Sequence, residues 1–133
     1  MIAEDAINKA LVAHGEWKRC LARAIENNGE GLSVEVVSSD DQCEFGRWLY
    51  VELDADVRSL PICERTRQLH ADFHLAAGRV LAMAQNKQRF QAMEAMQPDS
   101  EFAKISGALA FVLDQWRFKL NRTTVHSLPA ITK

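Results

Sequence analysis

Three long stretches of the sequence repeat large apolar side chains every three or four positions, the spacing of one face of an α-helix. The first predicts a helix over residues 3–27, the second over residues 61–86, and the third begins after a cap at Asp99 or Ser100. Asn and Gly at 27–31 are typical of a helix end, and Pro61 suits a first helical turn. The pattern therefore commits the chain to an all-α fold. The apolar face of the first stretch consists of Ile7, Leu11, Trp17, Leu21 and Ile25, with His14 among them.

The segments between these stretches are shorter and less regular. Residues 32–40, LSVEVVSSD, are rich in β-branched side chains, but the chain has no second strand candidate, so we expect an extended connection. A short helix is predicted from residue 41, with Asp41 as its cap and Glu44 completing a capping box. Another is predicted within 88–96. The sum is an antiparallel four-helix-type bundle over residues 1–124, with a short connecting helix and a frayed tail at 125–133.

Composition narrows the function classes. The chain has 133 residues, enough for one domain with a sizeable core, and its 16 basic and 18 acidic residues give a net charge of −2. This balance argues against nucleic acid as a partner, since phosphate neutralisation needs a basic face. The sequence predicts no membrane span and no signal peptide, which indicates a cytoplasmic location. Three cysteines do not form a disulfide framework, so they are expected to be free thiols or metal ligands.

Histidines are concentrated on the inward faces of the predicted helices. His14, His70 and His74 all fall there, although a buried imidazole must find partners for two ring nitrogens. His70 and His74 are four residues apart, so one helix directs both toward the same ion. Cys43 lies in the first turn of the short helix, where free N–H groups favour the thiolate. Three imidazoles and a thiolate suit tetrahedral Zn²⁺, with copper(I) or another soft ion as a competitor.

Three sequence elements together resemble the bacterial chemoreceptor zinc-binding (CZB) domain family. They are H-x-x-W at His14–Trp17, C-E-F-G-R-W at Cys43–Trp48 and H-x-x-x-H at His70–His74. Between His14 and Cys43 lie 28 residues, and between Cys43 and His70 lie 26 residues. The resemblance covers about residues 10–78. Its pattern positions are filled by His14, Trp17, Cys43, Phe45, Gly46, Trp48, His70 and His74.

The resemblance implies a four-helix bundle that binds one zinc ion. It assigns His14, Cys43, His70 and His74 as the ligands and links Cys43 to redox or hypochlorous acid sensing. It further implies a symmetric homodimer that regulates chemoreceptors or diguanylate cyclases in bacterial cytoplasmic signalling. The chain contains neither a methyl-accepting coiled coil nor a cyclase domain, so we expect a stand-alone member or a piece of a longer protein.

The remaining motif residues have structural roles in this interpretation. Gly46 allows the short helix to lie against a neighbouring backbone. Phe45 and Trp48 are three residues apart and present one apolar edge that holds Cys43 over the site. Trp17, one turn from His14, either shields the metal or belongs to the core. Outside the motif, packing is expected for Cys20 and Cys63, and a surface position for Asp72 and His126.

Other functions fit the sequence to different degrees. A zinc hydrolase needs an open coordination position, which four protein ligands do not leave. It is also disfavoured because Ala71, not Glu, follows His70, so no enzyme is predicted. A di-iron site would require Glu three residues before His70 or His74, where the chain has Arg67 and Ala71. A structural zinc site or a zinc-storage protein remains open, because such sites share the ligand set of a regulatory one.

Overall fold

Three long helices and several short ones make up the fold. A computed structural model of the chain describes residues 2–126, with side chains up to residue 120. Within that part no strand occurs, and the predicted all-α class is confirmed. In chain order the elements are α1 (Ala3–Glu26), α2 (Val34–Ser38), α3 (Glu44–Arg47), a π-helical segment (Trp48–Glu52), α4 (Ala55–Arg58), α5 (Pro61–Gln85), α6 (Arg89–Glu94) and α7 (Glu101–His126).

Two of the long helices run in the same direction and the third runs against them. Arg117, late in α7, donates a hydrogen bond of 2.9 Å to Asn8, early in α1, so these helices run antiparallel. Phe102 at the start of α7 packs on Phe73 in the middle of α5, with ring centroids 5.5 Å apart. The C-terminal end of α1 instead lies near that of α5, where Arg89 bonds Glu26 at 3.0 Å. α1 and α5 are therefore parallel, and α7 runs against both.

The connection between α1 and α5 descends along α5 and takes the place of a second long helix. At the C-terminal end of α5, the Gln85 side chain donates hydrogen bonds to the carbonyls of Gly29 and Leu32, at 3.0 and 2.7 Å. Further down, His74 meets the carbonyl of Val37 at 2.9 Å. This segment, residues 27–60, completes an up–down–up–down arrangement. The predicted four-helix-type bundle is confirmed, with one of its members built from short helices.

The predicted extended connection at 32–40 is wrong, because residues Val34–Ser38 form α2. Ser33 caps this helix by accepting a 3.3 Å hydrogen bond from the Val36 N–H. Its inner side chain, Val37, is buried against the core. Gly78 of α5 makes room for the contact, since a Cβ there would lie 3.0 Å from the Ser38 Cβ. Capping and burial outweigh the β propensity of the valines.

The predicted cap of the next helix is also wrong. α3 begins at Glu44, and its N-cap is Cys43, whose Sγ accepts a 3.3 Å hydrogen bond from the Gly46 N–H. Glu44 is therefore the first helical residue, and no capping box with Asp41 forms. At the last long helix Ser100, rather than Asp99, is the cap, with its Oγ accepting from the Ala103 N–H at 3.1 Å.

The core lies between α1, α5 and α7 and follows the predicted stripes. On α1, Ile7, Leu21 and Ile25 are buried, while Leu11 and Trp17 are partly buried. Cys63 is buried in the core, in keeping with a packing role, whereas Cys20 is half-buried. The largest side chains enclosed almost completely are Phe73, Ile7, Leu21, Leu49, Leu81, Leu109 and Leu113.

Three further expectations concern membrane spans, the predicted tail and His126. No helix in the described part is long and apolar enough to cross a bilayer. α7 extends to His126, and the rest of the predicted tail lies outside the described residues, so the boundary at residue 125 stays a prediction. The expected surface position of His126 also concerns a side chain outside that part.

Exposed glycines inside the long helices provide a stability prediction. Gly107 lies in α7, and a Cβ placed there would meet nothing within 4 Å. Gly107→Ala is therefore expected to raise the free energy of unfolding by about 1 kcal/mol through helix propensity, as measured by urea denaturation. Gly31, with a φ of 84°, is the control, since Gly31→Ala is expected to destabilise the protein. A less stable Gly107→Ala protein would contradict the prediction.

Candidate metal centre

Four side chains from three segments meet inside the bundle. His14 of α1, Cys43 at the cap of α3, and His70 and His74 of α5 each bring one ligand atom within 4.8 Å of all the others. The imidazoles are 7%, 0% and 1% exposed in that order, and Cys43 is half-buried. The cluster expected from the sequence is thus assembled by the fold.

Backbone carbonyls orient two of the imidazoles. The Nδ1–H of His14 donates to the Ala10 carbonyl at 2.7 Å, one helical turn earlier. The Nδ1–H of His74 donates to the Val37 carbonyl of α2 at 2.9 Å. These bonds select the tautomer that leaves a lone pair on each Nε2. Among the described residues the Nε2 of His14 is buried without a partner, which is the condition of a ligand atom prepared for a cation.

The separations between the ligand atoms fit a four-coordinate ion. The Nε2 of His70 lies 3.1 Å from the Nε2 of His74 and 3.3 Å from the Sγ of Cys43. A tetrahedral zinc site has edges of about 3.3–3.4 Å between nitrogens and about 3.6 Å between nitrogen and sulfur. The remaining separations are all within 4.8 Å, so side-chain rotations would bring the four atoms to these edges. Neutral imidazole nitrogens together with a soft thiolate sulfur suit zinc.

Burial keeps the three imidazoles neutral. It lowers the pKa of His14 to about 4, against the raising effect of the bond to Ala10. Burial, together with the neighbouring His74 and His14, lowers the pKa of His70 to about 2. It also lowers the pKa of His74, although the bond to Val37 opposes this. At neutral pH the imidazoles therefore have lone pairs available for a metal without prior loss of a proton.

Opposing effects act on the pKa of the Cys43 thiol. Burial raises the pKa of the Cys43 thiol, while the N–H groups of Gly46 and Phe45 lower it. The helix N-terminus thus acts in the direction predicted, but burial is the larger effect. Metal binding at this site must consequently displace a proton from the thiol.

Gly46 brings the cysteine to the cluster. A Cβ at position 46 would lie 1.6 Å from the backbone oxygen of Asp40, a distance no side chain can occupy. The tight turn from Asp40 to Gly46 exists because position 46 has no side chain. The predicted close approach of the short helix to a neighbouring backbone is confirmed.

Aromatic rings enclose the cluster. Phe45 meets the ring of His70 edge-on with centroids 5.2 Å apart, and Trp48 stacks on Phe45 at 5.6 Å. The ring of Trp17, which is half-buried, approaches His74 at 6.3 Å. Phe73 approaches His14 at 4.9 Å. The expected apolar edge of Phe45 and Trp48 is present, and the cysteine lies at its end.

Sequence reasoning missed several of these contacts. The Ala10 carbonyl was open to prediction, since it lies four residues before His14 on the same helix. The Val37 carbonyl was not, because 37 residues separate it from His74. Phe73 lies at an unspecified position of the H-x-x-x-H element and was given no role, although its ring approaches His14 at 4.9 Å.

Three imidazole nitrogens and a thiol sulfur inside a helical bundle define a helical metal-binding domain. The family model of the chemoreceptor zinc-binding domain matches residues 14–81, just over half of the chain. The chain therefore belongs to the chemoreceptor zinc-binding domain family, and the match begins at His14 and spans all four clustered residues. Searches of curated proteins and of solved structures found no significant match.

Proposed function

We propose that this chain is a zinc-dependent regulatory domain of bacterial cytoplasmic signalling, with Zn²⁺ bound by His14, Cys43, His70 and His74. The observation that carries the proposal is the convergence of four ligand atoms within 4.8 Å. The family match over the same residues supports it. The imidazoles would bind through Nε2 and the cysteine as thiolate, while Phe45, Gly46, Trp48 and Trp17 support the site.

Cys43 is the ligand suited to act as a switch. The three imidazoles lie on long helices, whereas Cys43 lies on the connection between them and is the least buried of the four. A cavity of about 60 Å³ lies between α1 and α3 with Cys43 in its lining, which is room for small molecules such as water. Release of the thiolate would remove one of the ties between the connection and α5, so a local event would alter the packing of the bundle.

Two signals could release the thiolate in this proposal, a fall in zinc or oxidation of the sulfur. With hypochlorous acid the thiolate forms a sulfur–oxygen bond and chloride leaves, giving a sulfenic acid. The sulfur loses two electrons and becomes a poorer ligand than the thiolate. Access through the cavity beside Cys43 supports this route.

The homodimer and the signalling partner, a chemoreceptor or a diguanylate cyclase, belong to the same proposal and come from the family. The described surface offers apolar side chains for such contacts. Phe111 and Phe118 of α7 are 64% and 61% exposed, and their spacing of seven places them on one face of the helix.

Substitution of the cysteine tests the ligand set. Cys43→Ala is expected to weaken zinc binding by more than about 100-fold, since even an outer hydrogen-bond partner of a ligand contributes about 10–100-fold. Zinc per chain would be measured by mass spectrometry and affinity by competition with a chelator. Cys20→Ala is the matched control, because Cys20 is also half-buried but lies outside the cluster. Full affinity in Cys43→Ala would remove Cys43 from the site.

A structural zinc site is the second candidate, favoured by the burial of all three histidines. Both candidates use the same four ligands, and both leave no open position for a hydrolytic water. They differ in the effect of zinc loss on the fold. A regulatory domain stays folded and changes its packing, whereas a structural site unfolds.

A further inference from the structure

Asp40 lies at the start of the turn that carries Cys43 and is held from two sides. Its carboxylate accepts a hydrogen bond from the Tyr50 hydroxyl. Its backbone oxygen is the atom that a side chain at Gly46 would strike, and it lies 3.9 Å from the Cys43 Sγ. The residue that forms one wall of the cysteine turn is thus tied to a side chain beyond the turn.

Tyr50 is itself fixed in place. It lies in the π-helical segment Trp48–Glu52, a rare geometry that is common at functional sites. Its carbonyl accepts a 2.8 Å hydrogen bond from Arg58. From α5, Arg67 interacts with its hydroxyl, three residues before His70. Tyr50 therefore joins both ends of the segment 40–50 to the helix that carries two of the histidines.

We propose that Tyr50 is a positioning residue for Cys43. The hydrogen bond from the Tyr50 hydroxyl to Asp40 closes segment 40–50 and slows departure of the Cys43 thiolate from zinc. This inference rests on the proposed function. It assigns a role to a residue that belongs to none of the three sequence elements of the family resemblance.

The restraint on Cys43 is mechanical and acts through Asp40. For Cys43 to swing away from His70, the turn between Asp40 and Gly46 must open, so the Asp40 backbone must move. The bond from Tyr50 to the Asp40 carboxylate resists that movement, because carboxylate and carbonyl belong to one residue. Without the hydroxyl, one tie is lost while the aromatic ring remains.

Tyr50→Phe tests the proposal directly. Zinc transfer from the loaded protein to a chromogenic chelator is expected to become about 10-fold faster, the lower range for loss of an outer partner of a metal ligand. In metal-free protein, alkylation of Cys43 by iodoacetamide, followed by peptide mass spectrometry, is also expected to become faster. An unchanged rate in both assays would overturn the proposal.

Two variants of Asp40 separate the hydrogen bond from the charge. Asp40→Asn keeps an oxygen acceptor for the Tyr50 hydroxyl, so its zinc-transfer rate should stay near that of the wild type. The Asp40 charge raises the pKa of the Cys43 thiol, so the two Asp40 variants are compared by zinc transfer alone. Asp40→Ala removes the acceptor and should match Tyr50→Phe. If Asp40→Asn instead behaves as Asp40→Ala, charge rather than position is responsible and the proposal is wrong. Ser39→Ala is the matched control, since it removes a neighbouring bond of 2.8 Å to Glu35 and should change neither rate.

Tyr50 also provides a spectroscopic readout, because it is the chain's single tyrosine. The ¹³Cζ NMR signal of its phenol ring reports the hydrogen bond to Asp40 and is expected to shift when Cys43 is alkylated. An unchanged signal would show that Tyr50 does not follow the cysteine. A wild-type protein that binds no zinc would refute the proposed function alone, since the alkylation assay uses metal-free protein.

Discussion

Removal of zinc is expected to lower the midpoint of thermal unfolding by about 10–20 °C. A ligand present at a free concentration of about 100 to 1,000 times its dissociation constant stabilises the folded protein by about 2.7–4.1 kcal/mol. For a domain of this size each kcal/mol shifts the midpoint by about 3–6 °C. The expected shift follows from these two relations.

The structural reason is that the cluster joins three separate segments. His14 belongs to α1, Cys43 to the connection and His70 to α5, so a bound ion links all three. Without the ion, the buried Nε2 of His14 has no hydrogen-bond partner in the part of the chain that the structure describes. The Nε2 atoms of His70 and His74 face each other at 3.1 Å, where two lone pairs repel unless a proton or a cation lies between them.

The measurement is scanning fluorimetry on the intrinsic tryptophans, with zinc or with excess chelator. Trp17 and Trp48 lie at the cluster, so their emission follows its state. The Cys43→Ala protein is the control and should show a much smaller zinc-dependent shift. An equal midpoint with and without zinc in the wild type would contradict the prediction.

The same titration separates the two candidate functions. A chain that stays folded at room temperature after chelation behaves as a regulatory domain, with metal-free and metal-bound states that a partner can distinguish. A chain that loses its helical circular dichroism on chelation behaves as a structural zinc domain.

The long helices were predictable because each one repeats its apolar pattern over six or seven turns. α1 ends at Glu26 against a predicted end at residue 27, and α5 ends at Gln85 against a predicted 86. Over that length the position of the apolar face is well defined, even where one of its residues, such as His14, is polar.

The connection could not be predicted in the same way, because its helices are too short to carry a period. α2 is five residues long and is fixed by contacts with α5, among them the close approach of Ser38 to Gly78. Such contacts lie far apart in sequence. The cap at Cys43 in place of Asp41 has a related cause, since the contact between Asp40 and Gly46 decides where α3 begins.

The candidate site was predictable in its members but not in its surroundings. The four clustered residues follow from type and spacing in the three sequence elements. The carbonyl of Val37 and the hydrogen bond between Asp40 and Tyr50 depend on the path of the connection. No repeating apolar pattern in the sequence marks this path, so these contacts can be seen only in the folded chain.

Gly46→Ala is expected to disrupt both stability and zinc binding. The new Cβ would lie 1.6 Å from the Asp40 oxygen and 2.8 Å from its carbonyl carbon, which are backbone atoms that no rotamer change can move. Relief requires the connection to shift, which we expect to lower the free energy of unfolding by about 3 kcal/mol, the upper range for overpacking. The shift also moves the Gly46 N–H that bonds Cys43 Sγ, so zinc affinity should fall together with stability.

Gly15→Ala is the matched control, because the same substitution is made beside another clustered residue. Gly15 follows His14 in α1, and a Cβ there would meet nothing within 4 Å. That variant should bind zinc as the wild type does and gain up to about 1 kcal/mol from helix propensity. Urea denaturation of the metal-free proteins and chelator competition give the two quantities. Equal stability and equal zinc affinity in Gly46→Ala and the wild type would show that the turn can open without cost. In that case the backbone contact between Asp40 and Gly46 would not be what holds Cys43 at the cluster.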